Sequence, residues 1–126
     1  MTNMFRDVLE FQAAVGQNVG VEPKFPPIRE RKLRMDLMLE EMKEYMESEE
    51  ANDLENLAKE LADIIYITCG TAASYGIPLD RVFEAVHESN MAKLVDGKPI
   101  RREDGKILKP EGWTPPDIKS VLFGVE

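Results

Sequence analysis

The sequence is short of the residues that most often carry covalent chemistry. Its single cysteine, Cys69, cannot form an internal disulfide and lies in an apolar stretch, where we expect a buried and inert thiol. Its single histidine, His87, has neither a nucleophile nor a second histidine nearby, so the sequence does not indicate a catalytic imidazole. Internal repeats and low-complexity segments are absent as well. The chemistry of the chain must be sought in other side chains.

A long hydrophobic run is also missing. The stretch from Ile64 to Leu79 has no charged residue, but it is 16 residues long and includes Gly70, Gly76 and Pro78. It falls short of the roughly 20 apolar residues that a bilayer span needs. No basic segment followed by an apolar one opens the chain, so we expect no secretion signal and a cytoplasmic protein.

Basic charge is scarce and unevenly placed, and the formal net charge is −8. Between Asp36 and Asp63 there are eleven acidic residues and two lysines, whereas the segment from Lys93 to Lys109 has six basic residues and three acidic ones. This distribution argues against duplex nucleic acid or a membrane surface as partner, because both attract a basic face. A small polyanion bridged by a metal ion fits better, with the cation at the acidic helices and the phosphates at the basic tail.

Apolar spacing predicts four helices followed by a small β appendage. Periodicity and capping residues place the helices at about 3–19, 28–49, 53–75 and 80–94. The second and third helices should be antiparallel, because the link between them is short and polar. The segment 95–126 is predicted as a C-terminal hairpin and tail, in which Asp104-Gly105 has the form of a two-residue hairpin turn and Pro110 to Asp117 form a coil. We expect one all-α domain, residues 1–126, to which dimer formation would add buried surface.

The second and third helices each carry an acidic cluster. Glu40, Glu41 and Glu44 fall within a wedge about 100° wide, and Glu60 and Asp63 lie about 60° apart on their helix. Both clusters continue apolar stripes, which are Leu33, Leu37, Glu40 and Glu44 on one helix and Leu57, Glu60, Ile64 and Ile67 on the other. Because these stripes should face inward, the carboxylates should also face inward.

The other side of the second helix is apolar as well. It carries a second set of large side chains, namely Met35, Met38, Leu39, Met42, Tyr45 and Met46. The methionines of this set suit either a loosely packed core or a contact between two copies of the chain.

Carboxylates that face a protein interior are costly unless they are protonated, paired or bound to a cation. Oxygen ligands suit Mg²⁺ or Mn²⁺, and Mg²⁺ often bridges carboxylates to substrate phosphates. We therefore expect a helical metal site for a phosphorylated substrate. A solvated acidic face is the commoner explanation for the first cluster alone, but the aligned apolar residues and the second cluster favour a metal site. A di-iron bundle is less favoured, because such sites use Glu-x-x-His pairs and neither cluster contains histidine.

The two acidic motifs resemble the signature of a known superfamily. Glu40-Glu41-Met42-Lys43-Glu44 has the form EExxE and Glu60-Leu61-Ala62-Asp63 the form ExxD, as in the MazG-like all-α nucleoside triphosphate pyrophosphohydrolases. Ser89-Asn90-Met91-Ala92-Lys93 and the tail up to Trp113 are similar to the C-terminal part of small phosphoribosyl-ATP pyrophosphohydrolase-like members. The resemblance covers most of residues 3–117.

This resemblance implies a four-helix MazG-like bundle with a small C-terminal hairpin and coil appendage, assembled as a homodimer or homotetramer. It also implies Mg²⁺-dependent cleavage of a nucleotide to its monophosphate and pyrophosphate. Carried over by position, the implied metal ligands are Glu41, Glu44, Glu60 and Asp63, the implied further ligand or catalytic base is Glu40, and the implied phosphate-binding residues are Asn90 and Lys93.

Three points remain open: the substrate, the class of function and the role of Trp113. The substrate is either a ribo- or deoxyribonucleoside triphosphate or phosphoribosyl-ATP, and no residue indicates which base is recognised. A catalytically idle helical dimer that binds nucleotide or a protein partner is the second class of function. Trp113 either stacks on a base or anchors the tail to the body, and anchoring is the more common use of such a residue.

Overall fold

The computed structural model describes residues 3–124 and contains five α-helices. They are α1 (Met4–Ala14), α2 (Ile28–Glu50), α3 (Leu54–Tyr75), α4 (Leu79–Met91) and α5 (Ile118–Phe123). No β-sheet forms within the described residues, which confirms the all-α class. The described chain divides into two compact units, a first unit of residues 3–79 and a second unit of residues 80–124. No helix in residues 3–124 combines the length and apolar character that a membrane span requires.

The first helix ends five residues before the predicted boundary. Asn3 caps its start, because the Asn3 side chain accepts a hydrogen bond from the backbone N–H of Arg6 at 3.0 Å. At its other end Gly16 has a φ of 76°, and the N–H of Gln17 donates to the carbonyl of Gln12 at 2.9 Å. This is a Schellman cap, in which a glycine takes up the left-handed conformation that stops the helix.

Helices α2 and α3 pack against each other in antiparallel fashion, as predicted. Asp53 caps α3 by accepting from the N–H of Asn56 at 3.0 Å. Asn56 also donates to Ser48 Oγ near the turn, at 2.5 Å. At the far end of the pair, Arg34 donates to Thr71 Oγ1 at 3.1 Å. The end of α2 therefore contacts the start of α3, and the first half of α2 contacts the second half of α3.

The core of the first unit is small and partly polar. The buried hydrophobic residues in this part of the described chain are Val8, Cys69, Ala72 and Ala73. Burial raises the pKa of the Cys69 thiol, in agreement with the inert cysteine that we expected.

Two buried polar side chains meet α3 at Gly70. Gln12 of α1 donates to the Gly70 carbonyl at 3.2 Å and to Ser74 Oγ at 3.1 Å. Arg34 of α2 is 6% exposed and also donates to the Ile67 carbonyl at 3.1 Å. A Cβ atom at position 70 would collide with the Arg34 guanidinium and would lie 2.9 Å from Gln12 Oε1. The absence of a side chain at Gly70 therefore lets α1 and α2 reach the same turn of α3.

In the second unit, α4 ends at Met91, three residues before the predicted boundary, and the turns that follow differ from one another. Val95 and Lys98 exchange both backbone hydrogen bonds around Asp96 and Gly97, whose φ values are 51° and 76°. Two positive φ values at the centre of a two-residue loop define a type I′ turn, for which Asp-Gly is a preferred sequence.

The hairpin loop around Asp104-Gly105 is one residue longer than predicted. The N–H of Arg102 donates to the Lys106 carbonyl at 2.8 Å, so the loop contains three residues. Gly105, with a φ of 91°, is its third residue, as in a type I turn followed by a bulge. Only an isolated bridge between Arg101 and Ile107 forms within this described segment.

Helix α5 follows the stretch predicted as coil, in a part of the tail for which no helix was predicted. Asp117 caps it by accepting from the N–H of Ser120 at 3.1 Å, and Gly124 ends it with a φ of 60°. Arg81 of α4 donates to the Val121 carbonyl at 3.3 Å, which joins α5 to α4 within the second unit.

Candidate metal centre

Three carboxylates from two helices meet between α2 and α3. Glu41 comes from α2, and Glu60 and Asp63 come from successive turns of α3. Each offers one oxygen, and these three oxygens lie within 4.8 Å of one another. Glu60 is the deepest, with 3% of its surface exposed. The antiparallel packing of the two helices thus brings together acids that are 19 or more residues apart in the sequence.

Two oxygens of this cluster are buried without a partner. Glu41 Oε2 and Glu60 Oε2 have no hydrogen-bond donor among the described residues. Leaving buried carboxylate oxygens unsatisfied costs free energy, so the protein surroundings alone do not explain their placement. An all-oxygen donor set of this kind suits a hard divalent cation such as Mg²⁺ or Mn²⁺. The residues present therefore fit the metal that the sequence led us to expect.

The electrostatics of the cluster show the same crowding. Burial, followed by the neighbouring carboxylate of Glu60 and the charges of Glu44 and Asp63, raises the pKa of Glu41 to about 7. Contact with Glu60, followed by burial, raises the pKa of Glu44, and the charge of Glu40 adds to this effect. Like charges held close together disfavour ionisation, and a bound cation would reverse that effect.

Lys59 is the one basic side chain among the described residues that pairs with this cluster. Its ammonium group lies 2.8 Å from an oxygen of Asp63 and 3.4 Å from Glu60 Oε1. These two contacts raise the pKa of Lys59. The Lys59 side chain is about two thirds exposed, and its ammonium group contacts neither of the two unpartnered oxygens.

The remaining acids predicted for the site are placed differently. Glu44 is half-buried beside Glu60 but does not belong to the set of oxygens within 4.8 Å. Glu40 is exposed, so the expectation that all five carboxylates face inward is wrong for this residue. Glu40 and Glu41 lie at opposite edges of the acidic wedge, and only the edge with Glu41 faces α3.

The residues predicted to bind phosphate belong to the second unit. Asn90 is exposed near the end of α4. Lys93 is half-buried, and its ammonium group lies over the ring of Trp113, 5.5 Å from the ring centroid. Trp113 Nε1 donates to the Ser89 carbonyl at 2.7 Å, which confirms that this tryptophan anchors the tail.

A groove that the sequence pattern did not predict runs from the acidic cluster to the turn between α2 and α3. This open groove has a volume of about 380 Å³ and is lined by Glu44, Glu47, Ser48, Ala51, Asp53, Asn56 and Glu60. One signal could have found it, because Asn56 precedes Glu60 by four residues and so lies on the same face of the helix. Ser48, which accepts from Asn56, faces it from α2.

Comparisons with known proteins identify the family of the chain. No curated protein gives a match to the chain. The family model described as phosphoribosyl-ATP pyrophosphohydrolase matches residues 8–90, which span both acidic motifs and about two thirds of the chain. The chain therefore belongs to the phosphoribosyl-ATP pyrophosphohydrolase family, within the MazG-like all-α nucleoside triphosphate pyrophosphohydrolase superfamily, and this membership points to a hydrolase that acts on phosphoric anhydrides.

Proposed function

We propose that this protein is a Mg²⁺-dependent nucleotide pyrophosphohydrolase that releases a nucleoside monophosphate and pyrophosphate. The observation that carries the proposal is the meeting of Glu41, Glu60 and Asp63 oxygens within 4.8 Å, with two of the carboxylate oxygens buried and unpartnered. Enzymes of this family typically use a divalent metal. Glu41, Glu60 and Asp63 would hold the cation, and Glu44 would complete the acidic side of the site.

When bound, a divalent cation neutralises phosphate charge and makes a water molecule a better nucleophile. The protein side chains supply positioning. Glu60, buried in the packing of α2 and α3, fixes the depth of the site, and Lys59 holds Asp63 in place. Exposed Glu40, one residue before Glu41, is the proposed base that orients a water toward the α-phosphorus.

The proposed substrate is a nucleoside triphosphate or a related nucleotide, and phosphoribosyl-ATP is the alternative that the family name supports. Asn90 and Lys93 are the proposed phosphate-binding residues. A panel of canonical, deoxy and modified triphosphates together with phosphoribosyl-ATP, each supplied with Mg²⁺, would identify the substrate. Pyrophosphate is the expected product, and release of orthophosphate alone would contradict the proposed position of cleavage.

The carboxylate cluster can be tested by substitutions that keep its shape. We expect Glu41→Gln or Asp63→Asn to lower turnover by about a hundredfold or more, the loss typical when one charge-stabilising group is removed from an active site. Pyrophosphate release measures the turnover, and circular dichroism should show unchanged helical content. Glu50→Gln is the matched control, because Glu50 is an exposed glutamate at the end of the same helix.

Pyrophosphate release from the substrate panel also distinguishes an enzyme from a catalytically idle relative. An idle nucleotide-binding protein would bind Mg²⁺ with a non-hydrolysable triphosphate, seen as a rise in melting temperature, and would release no pyrophosphate from any member of the panel. If both variants keep the turnover of the parent protein, the assignment of the metal site is wrong.

A further inference from the structure

A second charged cluster lies in the second unit, around the only tryptophan of the chain. The ammonium group of Lys109 is 4.9 Å from the centroid of the Trp113 ring, and that of Lys93 is 5.5 Å from the same point. Both distances are within the range of a cation–π contact. Two positive charges therefore lie close to one aromatic ring. The two ammonium groups are no farther apart than the sum of these two distances.

The ring that holds them is itself fixed. Trp113 Nε1 donates to the Ser89 carbonyl near the end of α4, and the Trp113 backbone N–H donates to the Pro110 carbonyl at 3.1 Å. Lys93 follows α4 directly, and its own N–H donates to the Asn90 carbonyl at 3.1 Å. The Trp113 ring joins the end of α4 to the tail, so that two lysines 16 residues apart in the sequence both lie beside it.

The positive charge of this cluster is not neutralised by the protein. Within residues 3–124 neither Lys93 nor Lys109 forms an ion pair, whereas Asp104 of the same tail is paired with Arg102. Two ammonium groups repel each other, and an anion that contacts both removes that repulsion. Lysine is a common point-charge ligand for phosphate, and neighbouring charges along a phosphate chain would match two separate ammonium groups.

We propose that Lys109 and Lys93, held over Trp113, form a binding site for a condensed phosphate chain, such as pyrophosphate or the polyphosphate part of a nucleotide. Identification of that chain with the substrate or product rests on the proposed function, but the binding of phosphate does not. Lys109 thereby becomes a phosphate-binding residue, and Trp113 becomes the residue that positions both lysines.

The proposal can be tested by fluorescence without any metal, because Trp113 is the sole tryptophan and lies within the site. The full-length protein in EDTA is titrated with pyrophosphate, with a non-hydrolysable nucleoside triphosphate and with orthophosphate. We expect a saturable change in tryptophan emission with pyrophosphate and with the triphosphate, and weaker binding of orthophosphate. Equal binding of orthophosphate would contradict a site for a phosphate chain.

Substitutions locate the site. Lys109→Gln and Lys93→Gln should each raise the apparent Kd for pyrophosphate by about tenfold, as expected for the loss of one charge-assisted contact. Lys109→Arg should restore binding, because it keeps the charge. Lys106→Gln is the matched control, since it removes the same charge from an exposed position of the same tail that makes no contact with Trp113.

Two outcomes of these substitutions would also overturn the proposal. One is a Lys109→Gln variant that binds pyrophosphate as tightly as the parent protein. The other is an equal loss in Lys106→Gln, which would show a general effect of charge on the tail. Failure of this phosphate-site proposal can be told apart from failure of the proposed function, because Glu41→Gln should keep the fluorescence response while losing turnover.

Discussion

At the scale of single residues, the carboxylate of Glu41 reports most directly on the candidate metal centre. Its pKa is raised from 4.5 to about 7, first by burial and then by the carboxylates around it. A raised carboxyl pKa means that the folded protein binds a proton more tightly than the unfolded chain does. This contribution to stability is complete below about pH 4.5 and is lost as the pH rises through about 7.

Glu41→Gln should therefore stabilise the metal-free protein at high pH. In EDTA, we expect the melting temperature of the variant to exceed that of the parent protein increasingly as the pH is raised from 4.5 to 8, because glutamine does not ionise. Added Mg²⁺ should reverse the order by raising the melting temperature of the parent protein alone. Glu50→Gln serves as control and should show no such trend. A difference that stays constant over this pH range would show that crowding of charge at position 41 is not its cause.

The sequence predicted the acids of this site but not their individual placement. The angle between successive helical residues is fixed, so the spacing of Glu41, Glu60 and Asp63 was enough to place them on inward faces. Glu40 lies in the same wedge as Glu41, and the packing of α2 on α3 decided which of the two became buried. The buried guanidinium of Arg34 escaped prediction for the same reason, because its partner Thr71 is 37 residues away.

At the scale of elements, the end of α3 determines how the segment 17–27 packs in the first unit. Gly76 ends the helix with a φ of 69°. The N–H groups of Gly20 and Lys24 then donate to the last carbonyls of the helix, those of Ala73 and Tyr75, at 2.8 and 2.9 Å. Carbonyl groups of the last turn of α3 thus hold the connector between α1 and α2.

Gly76→Ala should be markedly destabilising. An added Cβ would come within 2.6 Å of the carbonyl carbon of Glu22, and the left-handed conformation is unfavourable for alanine in any case. We expect a loss of about 2–4 kcal/mol in the free energy of unfolding, measured by urea denaturation. Gly16→Ala is the control with a similar φ and no heavy atom within 4 Å of the new Cβ, so it should cost about 1–2 kcal/mol. Equal losses would mean that the contact with Glu22 has no effect.

A helix boundary can be predicted from local capping residues only where one such signal stands alone. Gly76 and the cap residue Asp53 define α3 within one residue of the prediction, because each signal stands alone at its end of the helix. The end of α1 was missed because Gly16 and Gly20 both offer a stop, and the hydrogen bond of Gly20 to α3 is a tertiary contact. Helix α5 has six residues, too few to show a helical period in the sequence.

At the scale of the whole molecule, the first unit leaves a large apolar surface uncovered. The exposed side of α2 carries four large residues that fall within about 60° around the helix axis. Their exposed fractions are 59% for Met35, 67% for Leu39, 41% for Met42 and 53% for Met46. The sequence predicted a helix that is apolar on two sides, but within the described chain the buried residues of α2, Arg34 and Ser48, lie on a different side, which contacts α3. Contiguous exposed apolar surface of this kind is typical of a protein–protein contact.

We therefore expect this side of α2 to contact a second copy of the chain. In a twofold dimer each substitution enters the interface twice, so Leu39→Lys places two new charges in an apolar contact and should weaken association by about a hundredfold or more. Sedimentation over a range of protein concentrations measures the effect, and the melting temperature of the parent protein should rise with concentration. Val21→Lys is the matched control, because Val21 is 96% exposed on the connector between α1 and α2 and does not belong to the apolar side of α2. Sedimentation of the parent protein as a monomer at every concentration would contradict the dimer, and the apolar side of α2 would then need a different partner.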